Sequence, residues 1–190
     1  MHVVKDGNEI HVVRPDAEYF LSFCFEFFEV WIWSCHPLKK AQHIIKTCFS
    51  IQSTQFKMVM DNRYFQNSSF MIGYKRAYHK NLPIIWGLFD YLDGSNTILF
   101  DDSPYQVMWN MPGTYMIFPK FWNQSADLIG SFLKNVIIPW LCGWLYVKDR
   151  REYTINNFVK FHSDPETDYV MQCYMSQRIQ NLKKERSNIT

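Results

Sequence analysis

Asp101 and Asp102 are adjacent carboxylates that follow a short apolar run, Asn96 to Phe100, and precede Ser103-Pro104. A hard-oxygen pair of this kind suits Mg²⁺, which binds through one or two carboxylates plus substrate phosphate oxygens. The same residues suit a turn equally well, with Asp101 accepting backbone N–H bonds. Ser34 closes an aromatic run, Phe28 to Trp33. With the N–H groups of a helix starting near Leu38, its hydroxyl can hold a phosphate oxygen. By itself it is an ordinary serine at a strand-to-helix turn. Lys80, at the start of a predicted helix, can neutralise phosphate charge. By itself it reads as a surface lysine.

The elements that must position these residues alternate along the chain. Val3 to Val13 reads as a hairpin around Asp6-Gly7. Arg14-Pro15 breaks it, and Asp16 is placed to cap a helix from Ala17 to Phe28. On that helix Phe20, Phe23, Cys24 and Phe27 share one face. A strand at residues 28–33 and a helix at 38–49 follow. Residues 50–75 are polar and read as irregular. A helix is expected at 81–92, with strands at 96–100 and 114–118. Short apolar strands between helix-length segments predict an α/β fold, a parallel sheet with helices on both faces. Open sheets of this kind bind ligands beyond the carboxyl ends of their strands. Ser34 and Asp101-Asp102 stand at two such ends. The expected organisation is one domain over 1–165 and a polar helical tail over 166–190, with a basic end at Lys183-Lys184.

Composition narrows the alternatives. The 190 residues carry 20 Lys+Arg against 18 Asp+Glu, a net charge of +2. That balance offers no basic face for nucleic acid. With 47% hydrophobic residues, 7 Gly and 8 Pro, the chain is neither disordered nor collagen-like. Aromatic residues make up 18%, which implies a bulky core. Five Cys without any C-x-x-C fit free thiols in a reducing compartment rather than a zinc site. No signal-peptide pattern opens the sequence. The most apolar stretch, Val136 to Val147, is too short to span a bilayer. The expectation is a nuclear or cytoplasmic protein with neither a membrane nor a nucleic-acid partner.

Two blocks carry a family resemblance. Arg14 to Ser34, with its aromatic core from Phe23 to Trp33, resembles the RNA polymerase II C-terminal-domain phosphatase homology domain, and most closely its plant branch. This is the NLI-interacting-factor-like domain of the haloacid dehalogenase (HAD) superfamily. Asn96 to Tyr105 is similar to that family's metal-binding motif, and the likeness extends from residue 3 to about 162. The resemblance implies a HAD-like, Rossmann-like parallel sheet, Mg²⁺ as cofactor and phosphoserine protein as substrate, the RNA polymerase II C-terminal domain being one candidate. It places Ser34 as the hydroxyl that bonds a phosphoryl oxygen and Lys80 as the stabilising lysine. Asp101 and Asp102 become the residues that position the metal. Phosphoryl transfer needs such groups because it is catalysed by positioning and by neutralising negative charge.

One departure from the family matters most. Its first motif, Asp-x-Asp-x-Thr/Val, lies on a central strand ahead of the hairpin and supplies the nucleophile and the general acid/base. Here Asp6 is the only acidic residue before Glu9, and it stands in a turn. The expected fold therefore lacks its central first strand, and its apolar faces make it prone to aggregation or dependent on a partner. The chain is expected to have no appreciable phosphatase activity without upstream sequence. Its magnesium site is expected to be weak or absent. Two other uses stand beside the enzyme reading. One is a non-catalytic module that binds a phosphopeptide or another protein. The other is a role like that of the family's mitochondrial inner-membrane translocase receptor. The latter ranks last, since neither a presequence nor a membrane-spanning helix is evident.

Overall fold

The structure, a computed structural model, describes residues 2–7, 9–72, 75–121 and 132–158. The expected tail at 166–190 lies outside them. The chain divides into two compact units. The first contains Met1–Phe65 and Phe121–Lys148, and the second contains Gln66–Lys120 together with the chain from Asp149 onward.

The first unit opens with the expected hairpin. Strands β1 (His2–Asp6) and β2 (Glu9–Val13) are antiparallel, with Asp6 opposite Glu9. Gly7 sits between them at φ 56°, a left-handed backbone that a Cβ would penalise. Helix α1 (Ala17–Phe27) follows. Asp16 does not cap it through its side chain. It adopts a left-handed conformation (φ 54°), and its carbonyl accepts from the Phe20 N–H at 2.8 Å. The expected apolar face is narrower than its spacing suggests. Ala17 and Cys24 are buried, whereas Phe27 is about half exposed.

Strand β3 (Trp31–Trp33), helix α2 (Leu38–Cys48) and strand β4 (Met58–Met60) form a βαβ unit, with β3 and β4 parallel. Ser34 N–H to the Met60 carbonyl (2.8 Å) and Lys57 N–H to the Val30 carbonyl (2.9 Å) extend the ladder at both ends. Two polar contacts dock α2 on the hairpin. Lys40 Nζ donates to Glu9 Oε1 at 3.0 Å, and His43 Nε2 bonds Asp6 Oδ2. Further along the chain, a π-helical turn (Leu133–Ile137) leads into helix α5 (Ile138–Tyr146). Aromatic side chains knit this unit together. The Phe28 ring lies 5.9 Å from Trp144, and Arg14 stacks over Phe121 and Phe132. No helix among the described residues is long and apolar enough to cross a membrane.

The second unit contains a two-stranded sheet of β5 (Phe65–Ile72, its first residue belonging to the other unit) and β6 (Lys75–Lys80). Residues 50–75 are thus not irregular throughout, since β4 and β5 lie within them. Helix α3 (Leu82–Leu88) carries Pro83 in its first turn, where a missing N–H is harmless. It stops well short of the expected end at residue 92. Strand β7 (Leu99–Asp101), helix α4 (Pro104–Val107) and strand β8 (Tyr115–Ile117) make a second βαβ unit, again parallel. The rings of Phe100 and Phe118 stack at 4.8 Å. Helix α6 (Arg150–Asn156) is capped by Asp149, whose side chain accepts from Glu152 N–H at 2.8 Å. It packs where Gly113 leaves room. A Cβ at Gly113 would lie 2.6 Å from the Arg151 carbonyl oxygen. The fold is therefore mixed α/β with short parallel pairs and several helices, as the alternation predicts.

Candidate functional site

β6 and β7 end on opposite charges. Lys80 is the last residue of β6, not the first of a helix, and Asp101 is the last of β7. Lys80 Nζ donates to Asp101 Oδ2, and the two side chains are only 9% and 6% exposed. At such burial each charge depends on the other, because a lone ion taken from water costs several kcal/mol. Asp101 Oδ1 accepts from Ser103 N–H at 2.7 Å, so the carboxylate also shapes the turn into α4. The turn reading of Asp101 is thus realised, and its other oxygen pairs with Lys80. Asp102 is exposed, and its Oδ1 accepts from Ser103 Oγ at 3.2 Å.

The surroundings of Lys80 include groups that spacing did not single out. Asn110 is buried, and its side chain bonds the backbone on both sides of the β6–α3 corner. His79 faces Trp109 at 5.7 Å between ring centroids, and burial holds its imidazole below the ordinary histidine range. Asn81 Nδ2 donates to Gln66 Oε1 at 2.7 Å.

In the first unit Ser34 stands half-buried just beyond β3. Its Oγ accepts from His36 N–H at 3.1 Å. At the start of α2 one of the N–H groups expected to face a phosphate is already engaged. Asp61, which follows β4 as Ser34 follows β3, is buried, and its Oδ2 accepts the Leu38 N–H at 3.2 Å. Its other bonds come from Arg63. The Nε reaches both oxygens at 3.0 and 2.9 Å, and the backbone N–H reaches Oδ1 at 3.1 Å. The Arg63 guanidinium, helped by these backbone donors, holds the Asp61 carboxyl below the usual carboxylate range. The helix start is thus already served by a protein anion.

Magnesium asks for carboxylate oxygens that are not committed elsewhere. Asp101 presents an ammonium on one oxygen and an amide on the other, while Asp102 accepts from the Ser103 hydroxyl on Oδ1. Among the described residues no group of three or more His, Cys, Asp or Glu side chains is arranged to hold a metal ion. Asp101 and Asp102 would thus supply two adjacent carboxylates, with water or phosphate oxygens needed for the remaining magnesium positions.

Two parallel βαβ units with polar and acidic residues at or just past their strand ends make this an α/β protein. The chain belongs to the NLI interacting factor-like phosphatase family, whose model matches residues 3–149. Among solved structures it is similar to the fission yeast RNA polymerase II CTD phosphatase Fcp1 bound to beryllium fluoride, at 13% identity and a TM-score of 0.43. That match covers 98% of this chain and 55% of the other, so the chain spans about half the length of that protein. No curated protein matches.

Proposed function

We propose that these 190 residues form a phosphatase-family domain that keeps charge-handling residues of the site but does not turn over phosphoserine by itself. One observation carries this reading: no Asp-x-Asp occurs anywhere in the sequence. The hairpin carboxylate Asp6 is no substitute, because it stands at the turn with Asn8, not a second Asp, two residues on. Without a carboxylate to take the phosphoryl group, the covalent step that divides the reaction in two is lost. Lys80 is the residue proposed to neutralise phosphate charge, and Asp101 and Asp102 are the residues proposed to position a metal. The Ser34 hydroxyl is proposed to donate to a phosphoryl oxygen. The substrate class is phosphoserine protein, with the RNA polymerase II C-terminal domain as one candidate.

A second reading, a module that binds a phosphopeptide without hydrolysing it, draws support from Ser34. Its oxygen accepts from His36, and its hydroxyl proton has no acceptor among the described residues. One experiment separates the readings. The purified chain is mixed with a phosphoserine peptide and Mg²⁺, and both phosphate release and binding are measured. No release above the blank is expected. Release that needs Mg²⁺ and disappears in Asp102→Asn would overturn the proposal. Saturable binding without release, weakened by Ser34→Ala, would favour the module.

A further inference from the structure

Asn110 is 4% exposed and uses its whole side-chain amide. Oδ1 accepts from Leu82 N–H at 2.8 Å. Nδ2 donates to the Lys80 carbonyl at 2.8 Å and to the Val107 carbonyl at 2.8 Å. The assignment of oxygen and nitrogen is fixed by these partners. A flipped amide would set oxygen against two carbonyls and NH₂ against an N–H, losing all three bonds.

These bonds join two separate stretches of chain. Lys80 and Leu82 flank the corner where β6 turns into α3. Val107 is the last residue of α4, the helix that begins three residues after Asp101. Asn110 thus ties the stretch that supplies the ammonium to the stretch that supplies the carboxylate. Lysine has a flexible four-carbon stem, so its ammonium stays on one oxygen only if its backbone is held.

We infer that Asn110 is a positioning residue, which clamps the backbone of Lys80 so that its ammonium stays buried on Asp101. The inference rests on the proposed role of Lys80 only for its functional importance; the placement itself stands apart from it. Backbone anchoring by a buried side-chain amide is a strong constraint because each partner would otherwise be left unsatisfied.

The test reads the lysine directly. The full chain and its variants are acylated with N-hydroxysulfosuccinimide acetate under native conditions, and modification of Lys80 is followed by peptide mass spectrometry. Asn110→Ala is expected to raise the Lys80 rate at least tenfold. Asn110→Asp keeps the acceptor for Leu82 but loses both donors, and the same rise is expected. It carries the test if the alanine variant does not fold. Gly113→Ala serves as a control that strains the same unit against the Arg151 backbone while leaving the Asn110 amide in place, and its Lys80 rate should match that of the parent. An unchanged Lys80 rate in a folded Asn110 variant overturns the inference, as does an equal rise in Gly113→Ala. Phosphate release is measured separately, so failure of the proposed function leaves this result standing, and the reverse holds too.

Discussion

The ammonium of Lys80 and the carboxylate of Asp101 meet at the ends of two strands, twenty-one residues apart in sequence, with both side chains more than nine-tenths buried. A pair so placed is hard to break and easy to replace. Removing one partner of a buried pair costs about 3–5 kcal/mol, because the survivor is left as an uncompensated charge. Lys80→Met should therefore lose about that much stability in urea unfolding. Lys80→Met combined with Asp101→Asn removes both charges and keeps an acceptor for Ser103 N–H. The double variant should recover most of the loss.

Asp61 links stability to pH with a definite sign. Its folded pKa lies below the ordinary value of 3.8, first because of the Arg63 side-chain bond. A depressed carboxylate contributes stability that is full above its unfolded pKa and is lost as pH falls through the folded one. Between neutral pH and about 5 the contribution should stay level, and it should shrink below about 4. Asp61→Asn should be less stable than the parent at pH 7, with the gap closing under acid. Urea midpoints collected from pH 7 down to pH 2 would show this convergence.

Two glycines should respond in opposite directions. Gly113 has φ 87° and faces the Arg151 backbone. Gly113→Ala should cost more than about 1 kcal/mol, from backbone strain and a forced shift of α6. Gly87 lies in α3, and a methyl group added there would meet nothing within 4 Å. Gly87→Ala should gain about 0.5–1 kcal/mol from helix propensity. Thermal melts of the two variants on either side of the parent would bear this out.

Thiol reactivity should follow burial. The Cys24 thiol is pushed up to about 12 by burial, and Cys48 is raised for the same reason. Cys35 is exposed. The thiolate is the reactive form, so iodoacetamide at pH 8 should label Cys35 well ahead of Cys24 and Cys48. Cys24 and Cys48 should react only when the chain unfolds. Rapid labelling of Cys24 in the folded protein would contradict the structure at that point.

Local patterns reveal part of this molecule. The hairpin shows itself through Asp6-Gly7, and α1 and α2 through their helical periodicity. Strands β7 and β8 show as short apolar runs. β4 does not, because Met58-Val59-Met60 is too short to display a period. β5 is hidden because its polar residues lack clean alternation. Asp101 and Lys80 stand out as residue types, yet their ion pair depends on non-local folding, which puts Lys80 at a strand end rather than a helix start. Asn110 and Asp61 carry no signal of their own. Each matters through backbone groups that come near it only in the folded chain, Leu82 for Asn110 and Leu38 for Asp61.

The bond from Leu38 N–H to Asp61 also has a bearing on the order of folding. Its partners are twenty-three residues apart, one opening α2 and the other standing just past β4. Helix α2 cannot gain this anion at its first turn until β4 has returned beside β3. Strand β4, three residues long, has little to hold it there before the helix exists. Neither element is a stable early guest on its own, so the crossover should assemble as one cooperative step. The hairpin, whose closest partners Asp6 and Glu9 are three residues apart, needs no such wait, since local pairs close first.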